Sequence, residues 1–393
     1  FYIAAHIKDG DPASWVCEFR SYGDRLQQTA GELEQQHQLY SASETYLKAF
    51  ACYRAAAQFT SPRQAEFKEL VQLFKTNFQH GLRLACLPLE TIRIPFEGKT
   101  LPGYFLRAAT PTAQTPTLIV IGGGDTYCED LYFFAGLAGH RRGYHTVMVD
   151  LPGQGDTPFQ GLHFMAETER PVASIVDYLL SHTEIARERL AIIGFSGGGY
   201  MVTRAVSHEK RIAACIADTP LFDVRKLLES EIPRGLGESR TLVRWLLRLS
   251  NSLNQAGAVN AEKYAWQAGV QSLDEFIYES QQGQADISQI TCPYLALVGT
   301  GDPAEALRQT EIAYQTIPAA IKGYRLFTEA DGGEAHCQVS NLTLLHQVVF
   351  DWLDEIFTGL AHNQAAGQNA TSRDTGAPSR SRSRAAVSHT TRV

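Results

Sequence analysis

Three side chains far apart in the chain have the types and the order needed for nucleophilic catalysis. The first is Ser196, in Gly194-Phe195-Ser196-Gly197-Gly198, which directly follows the apolar run 190–193 and precedes a helix-forming stretch from Tyr200. The pattern G-x-S-x-G between a buried strand and a helix exposes a serine hydroxyl on a strained turn. The flanking glycines are needed because side chains there would clash. A glycine-rich turn with a solvated serine has the same local sequence, so the partners decide. A serine hydroxyl needs an imidazole to take its proton and a carboxylate to hold that imidazole in the right tautomer. In the order Ser, acid, His, the acid candidate is Asp302, which follows the strand-like run 294–299, and the base candidate is His336, in Ala335-His336-Cys337-Gln338. Asp302 also reads as a helix cap before Pro303, and His336 as a loop histidine. His145 and His163 precede the serine, His346 falls in a helical pattern, and Asp331 has a poorer position after its strand.

The tetrahedral intermediate of such a reaction needs preorganised N–H donors. One is the backbone of Gly197. The other comes from Gly122-Gly123-Gly124-Asp125-Thr126, with Gly124 the first choice and Asp125 the second. The same glycines could cradle a phosphate, but no G-K-[ST] follows them.

The elements that must position these groups alternate. Strand-like runs at 90–96, 102–108, 117–121, 145–150, 190–193, 211–217, 294–299 and 323–327 are separated by helical patterns at 127–141, 169–181, to about 315 and at 342–357. That rhythm predicts an α/β fold with a mostly parallel sheet and ligands at its carboxyl edge. Residues 1–86 read as three helices. Asp11 caps the first, with Pro12 at its first turn. Ser41 or Ser43 caps the second. A capping box at Ser61–Gln64 opens the third. Their apolar stripes leave a spare face that either packs on the main domain or roofs the active site. Residues 220–287 interrupt the rhythm with two amphipathic stretches, one around Trp245, Leu246, Leu249 and Leu253, the other around Leu273, Phe276 and Ile277, and read as a helical lid. From 361 to 393 the composition turns to Ser, Thr, Arg, Gln and Gly, which predicts disorder. The expected domains are therefore 1–86, a helical cap; 87–360, the α/β unit with its lid; and the 361–393 tail.

With 393 residues, 44% hydrophobic and 20% charged, the chain can build a large core. A net charge of −7 and no basic stripe before the tail argue against nucleic acid as a partner. No apolar run approaches the roughly 18 residues of a membrane span. Seven scattered cysteines with no C-x-x-C pair suggest reduced thiols in a cytoplasmic setting, with neither a disulfide frame nor a structural metal. No cofactor is expected. The chain begins at Phe1, so the missing signal peptide carries no weight, and Asn341 and Asn369 match the glycosylation pattern by chance.

Over residues 1–360 the chain resembles a branch of the α/β-hydrolases. The resemblance is carried by Asp9-Gly-Asp-Pro-Ala-Ser-Trp15, Gly122-Gly-Gly-Asp-Thr126, Gly194-Phe-Ser-Gly-Gly198 and Ala335-His-Cys-Gln338. That branch includes the bacterial 2,6-dihydroxypseudooxynicotine hydrolase and a fungal hydrolase that shortens a polyketide pigment precursor; both cleave a carbon–carbon bond next to a ketone. The resemblance implies Ser196, Asp302 and His336 as a triad and the Gly122–Asp125 loop as part of an oxyanion hole. It also implies a helical cap over the pocket and a homodimer. Asp218 and Asp223 are positional candidates for an accessory acid. The expected function is a serine hydrolase of fungal-type specialised metabolism acting on an aromatic or polyketide small molecule through an acyl-enzyme. The alternatives are a carboxylesterase or thioesterase, and a hydrolase-fold protein that assists cyclisation.

Overall fold

The computed structural model describes residues 3–230, 254–279 and 283–373. Three helices lead the chain: α1 (Pro12–Gln35), α2 (Leu39–Gln58) and α3 (Ala65–Leu84). Asp11 caps α1 as its sequence suggests, Oδ1 accepting from the Ala13 and Ser14 amides at 3.0 and 3.2 Å. The other two caps differ from expectation. Helix α2 already starts at Leu39, so Ser41 and Ser43 lie inside it. Ser43 donates instead to the Gly81 carbonyl of α3 at 2.7 Å. Ser61 forms no capping box; Gln64 precedes α3 without a side-chain cap, and the Ser61 hydroxyl donates to Glu262 at 2.5 Å. A cap is worth only about 1 kcal/mol, so a tertiary partner easily takes the hydroxyl.

Eight strands form one sheet in the order β1-β2-β4-β3-β5-β6-β7-β8. They are β1 (Leu89–Phe96), β2 (Lys99–Leu106), β3 (Thr117–Ile121), β4 (His145–Val149), β5 (Leu190–Phe195), β6 (Ala214–Asp218), β7 (Tyr294–Gly299) and β8 (Lys322–Phe327). The first two strands pair antiparallel and the rest of the sheet is parallel from β4 on. Every residue of β3, β4 and β5 is buried. This is what continuous apolar runs without alternation produce when helices cover both faces. The chain leaves β3 toward β4 and then returns past β3 to β5, so a crevice opens at the carboxyl ends of β3 and β5.

The stretch 127–141 is helical but broken, with α4 (Cys128–Leu131) and α5 (Leu137–Arg141) joined through a π-turn at Tyr132–Gly136. One face of the sheet is covered by α6 (Glu169–Leu180) and α7 (Gly197–His208), with α11 (Ala304–Thr316). The other face packs on α2, α3 and the closing helix α12 (Leu342–Arg373) in a single apolar core. Phe74 of α3 meets Tyr127 edge-on at 4.8 Å, and Phe50 of α2 stacks on Phe133 at 5.6 Å. The N-terminal helices thus share their core with the sheet.

Within 220–287 lie α8 (Val224–Ser230), α9 (Gln255–Ala268) and α10 (Leu273–Glu279). The expected stretch around Trp245, Leu246, Leu249 and Leu253 lies outside the described residues. Helix α12 continues past the expected boundary at 361, to Arg373. Ala361, Gln364, Ala365, Ala366, Gln368 and Ala370 are good helix formers and extend an already nucleated helix. Among the described residues, no helix is long and apolar enough to cross a membrane.

Candidate active site

Ser196 occupies the turn between β5 and α7 with φ 57° and ψ −125°, a conformation that L-residues rarely adopt. The glycines around it make that turn possible. A Cβ on Gly194 would stand 2.2 Å from the Gly198 carbonyl oxygen, and one on Gly198 would stand 2.4 Å from that of Gly122. The Ser196 amide donates to the Asp218 carbonyl at 2.5 Å, tying the turn to the end of β6.

Asp302 follows β7, with its side chain fully buried. Its Oδ2 accepts the Gly299 amide at 2.9 Å, and its Oδ1 receives a short hydrogen bond from His336 Nδ1. With Nδ1 donating to the carboxylate, His336 presents Nε2 as an acceptor, and that atom lies 2.8 Å from Ser196 Oγ. The Asp302 hydrogen bond holds the His336 pKa above its ordinary 6.5, against the opposing effect of burial. Of the other histidines considered, His346 Nε2 is 2.7 Å from the Phe134 carbonyl and His145 Nδ1 accepts the Ala108 amide at 3.2 Å. His163 packs beside Gly269, and Asp331 pairs with Arg325 at 2.9 Å.

The His336 loop is held by a residue that the sequence did not single out. Cys337 and Gln338 both have positive φ, 55° and 47°. The buried Gln338 amide lies against Asp218, donating to Oδ2 at 2.9 Å and Oδ1 at 3.3 Å. Burial, with Asp302 nearby, pushes the Asp218 carboxyl up to about 7. Asp218 therefore sits behind the histidine, binding the nucleophile's turn through its carbonyl and the histidine's loop through its carboxyl. Asp223 points elsewhere: its carboxylate takes the Lys226 amide and ammonium, both at 3.0 Å.

The loop after β3 runs alongside Ser196. A Cβ on Gly123 would stand 2.7 Å from that of Ser196, and one on Gly197 would be 3.6 Å from the Gly124 nitrogen. Among the described residues, neither the Gly124 nor the Gly197 N–H donates to a protein acceptor. Asp125, the second choice, is exposed and does not line the cavity. Three side chains grip this loop by its carbonyls. Buried Gln154 donates to Gly122 and Gly123 at 2.5 and 3.0 Å, Gln267 of α9 to Gly124, and Arg54 of α2 to Asp125. Side chain-to-carbonyl bonds across long stretches of chain leave no spacing to read in a sequence.

Ser196, His336 and Gly124 open on a cavity of about 450 Å³. Its walls include Leu221, Val224, Leu227, Tyr264, Leu273 and Phe276. Tyr264 and Phe276 stack with planes 12° apart, and Phe164 lies 6.0 Å from Phe276. Of the two placements open for the N-terminal helices, packing on the main domain is the one seen: among the described residues, none before Gly124 lines the cavity. Those helices act one layer back. Lys263 of α9 donates to the Ala57 and Gln58 carbonyls at the end of α2, both at 2.5 Å, and burial lowers its pKa to about 7.

A second polar cluster is buried under α3. Cys128, Glu129 and Asp150 place ligand-type atoms within 4.8 Å of one another. The Lys75 ammonium already supplies positive charge there, 3.6 Å from Glu129 and 2.9 Å from Asp156, and Tyr104 donates to Glu129 at 2.7 Å.

Comparison with known proteins adds a frame to this geometry. A family model described as "Alpha/beta hydrolase family" matches residues 118–344. Hydrolase LUC6 of a Fusarium species is 24% identical over 381 residues, covering 90% of each chain. The 20-hydroxy-prefusarin hydrolase FUS2 of Gibberella moniliformis is 27% identical over 381 residues, again covering 90% of each. Among solved structures, 2,6-dihydroxy-pseudo-oxynicotine hydrolase is similar with a TM-score of 0.70 and 20% identity, over 88% of this chain and 89% of that one.

Proposed function

Since the chain belongs to the α/β-hydrolase family, we propose that it is a serine hydrolase of fungal-type specialised metabolism that cleaves a carbon–carbon bond next to a ketone. The observation that carries this reading is His336 standing between Ser196 Oγ, at 2.8 Å, and the buried carboxylate of Asp302. The cavity walls are apolar and partly aromatic, which suits a neutral aromatic or polyketide substrate. The hydrolase names of the relatives support a hydrolytic role of this kind.

The steps follow from the groups present. His336 Nε2 takes the Ser196 proton as Oγ bonds to the ketone carbon. The resulting oxyanion accepts the Gly124 and Gly197 N–H groups, each worth about 3 kcal/mol of barrier. The carbon–carbon bond then breaks. Its electron pair leaves with a fragment that must delocalise it: an enolate, which the His336 imidazolium protonates at carbon, or, from the ring-keto tautomer of an acylphenol, a phenolate, which it protonates at oxygen. Water, losing a proton to His336, attacks the acyl-enzyme, and collapse releases the acid and restores the Ser196 hydroxyl. The homodimer and the cytoplasmic setting belong to the same reading, and sedimentation of the purified chain tests the former.

A fluorophosphonate probe should add its mass to the intact chain, and Ser196→Ala should abolish the addition. An unlabelled wild-type chain, or a labelled alanine variant, removes the serine mechanism. Product masses separate the bond types: an acid with a ketone or arene identifies carbon–carbon cleavage, an acid with an alcohol or thiol identifies an esterase or thioesterase.

A further inference from the structure

Tyr264 lies within α9 and presses on the loop beside Ser196. A Cβ on Gly124 would meet its Cε1 at 2.6 Å and its hydroxyl at 3.0 Å. Any side chain at position 124 would push that ring from its place. The ring also lines the cavity and stacks on Phe276, so its orientation is fixed from two sides. Among the described residues, its hydroxyl has no hydrogen-bond partner. The neighbouring lid side chains Val224, Leu227, Leu273 and Phe276 carry no polar atom. An unpaired phenol on an otherwise apolar wall is a donor that a ligand acceptor entering the cavity can meet in place of water.

We propose that Tyr264 is a substrate-contacting residue that donates its phenolic hydrogen to a second substrate oxygen, one positioned β to the ketone under attack. The site thereby selects 1,3-dicarbonyl compounds and acylphenols over simple esters. This assignment rests on the serine-hydrolase reading and names the substrate class for it.

The chemistry supports the assignment in three ways. Gly124 and Gly197 already supply two N–H groups for the oxyanion, so a third donor over Gly124 meets an atom beside it. In a 1,3-dicarbonyl the two oxygens lie on neighbouring carbonyls and can face the same wall. When the bond from the attacked carbonyl to the carbon between the two breaks (in an acylphenol, from its ring-keto tautomer), the electron pair spreads onto the second oxygen, and a hydrogen bond to it strengthens as the charge develops. Tyr264 keeps its proton throughout, because burial, with the Asp125 charge nearby, pushes the phenol up to about 12. The other unpartnered hydroxyl lining the cavity, Thr219 Oγ1, belongs to the end of β6. By strand order it lies on the far side of Ser196 from Gly124.

Tyr264→Phe keeps the ring and its packing while deleting the donor. On benzoylacetone the expected loss in kcat/KM is about 30-fold, as for a hydrogen bond to a charged group, with p-nitrophenyl butyrate hydrolysis changed less than about threefold. Equal losses on both substrates would make Tyr264 an oxyanion donor and overturn the assignment; no loss on either would overturn it as well. A binding arm separates this from the reaction assigned to the site. In the Ser196→Ala background, calorimetry should show benzoylacetone bound about tenfold more weakly after Tyr264→Phe, a loss of about 1.4 kcal/mol. Undiminished affinity, or no binding by Ser196→Ala itself, sinks the proposal. A wild-type chain that turns over the ester but leaves the diketone intact sinks carbon–carbon cleavage alone, and the binding arm still decides Tyr264.

Discussion

In the proposed mechanism His336 must be neutral to accept the Ser196 proton, yet the buried carboxylate of Asp302 favours its charged form. Asp302 raises its pKa by a direct hydrogen bond and Asp218 adds a weaker, through-space effect. Activity should therefore fall with decreasing pH along a limb centred above 6.5, read from kcat/KM. Asp302→Asn removes the larger influence and the tautomer control together, so kcat should drop by about 10⁴, with the limb moving toward lower pH. A variant that retains most of its turnover would show that Asp302 does not orient the imidazole. Asp218 makes a separate prediction about stability. Its carboxyl is raised from 3.8 to about 7 in the folded chain. Between those values the native state binds more protons than the unfolded one, so this contribution to stability declines as pH rises through that window. Asp218→Asn abolishes it. The melting temperature of the variant minus that of wild type should grow more positive from pH 5 to pH 8; a constant difference would show Asp218 ionising normally. Ser196, Asp302 and His336 were all legible in the chain because each follows a strand-like run at one sheet edge. Asp218 was visible only as a position, since its partner Gln338 follows from a loop with positive φ that no residue pattern announces.

At the scale of elements, the loop carrying Gly124 is set by its neighbours more than by its own sequence. Gln154 turns the Gly122 and Gly123 carbonyls into the protein, and Gln267 does the same for Gly124. Gln154→Leu fills similar space but leaves the buried Gly122 carbonyl without its donor and the Gly123 carbonyl with only Thr126 Oγ1 at 3.5 Å, at a cost of about 1–3 kcal/mol. The expected result is a kcat lowered by about tenfold or more, in keeping with misplaced oxyanion donors, with labelling of Ser196 by the fluorophosphonate slowed in parallel. Unchanged labelling would show that the loop holds its shape unaided. The strands and most helices were readable from apolar runs and periodicity. The caps of α2 and α3 were not, because Ser43 and Ser61 found tertiary partners, Gly81 and Glu262, that only the assembled fold supplies.

Over the whole molecule, the N-terminal helices complete the sheet's core. Phe67, Phe74 and Phe78 of α3 and Phe50 of α2 are all buried in the cluster that also holds Leu118, Val120 and Phe350. Each such side chain contributes about 1.5–3 kcal/mol by burial. A chain starting at residue 87 would bare that face, and it should be insoluble or lack a cooperative thermal transition by circular dichroism. A folded, soluble truncation would show the helices to be an independent domain. Their amphipathic stripes announced a packing face, but nothing in them said whether it meets the sheet or the cavity. That choice depends on where α9 lies, and the segment containing α9 reads only as an interruption of the α/β rhythm.

Helix α9 has a consequence of its own. Lys263 and Gln267 stand four residues apart on it, one grasping the end of α2 and the other the carbonyl of Gly124. If this helix swung outward to admit a guest, it would let go of Gly124 in the same motion. A displacement of one short helix would thus be felt at once by the loop beside Ser196 and by the N-terminal bundle.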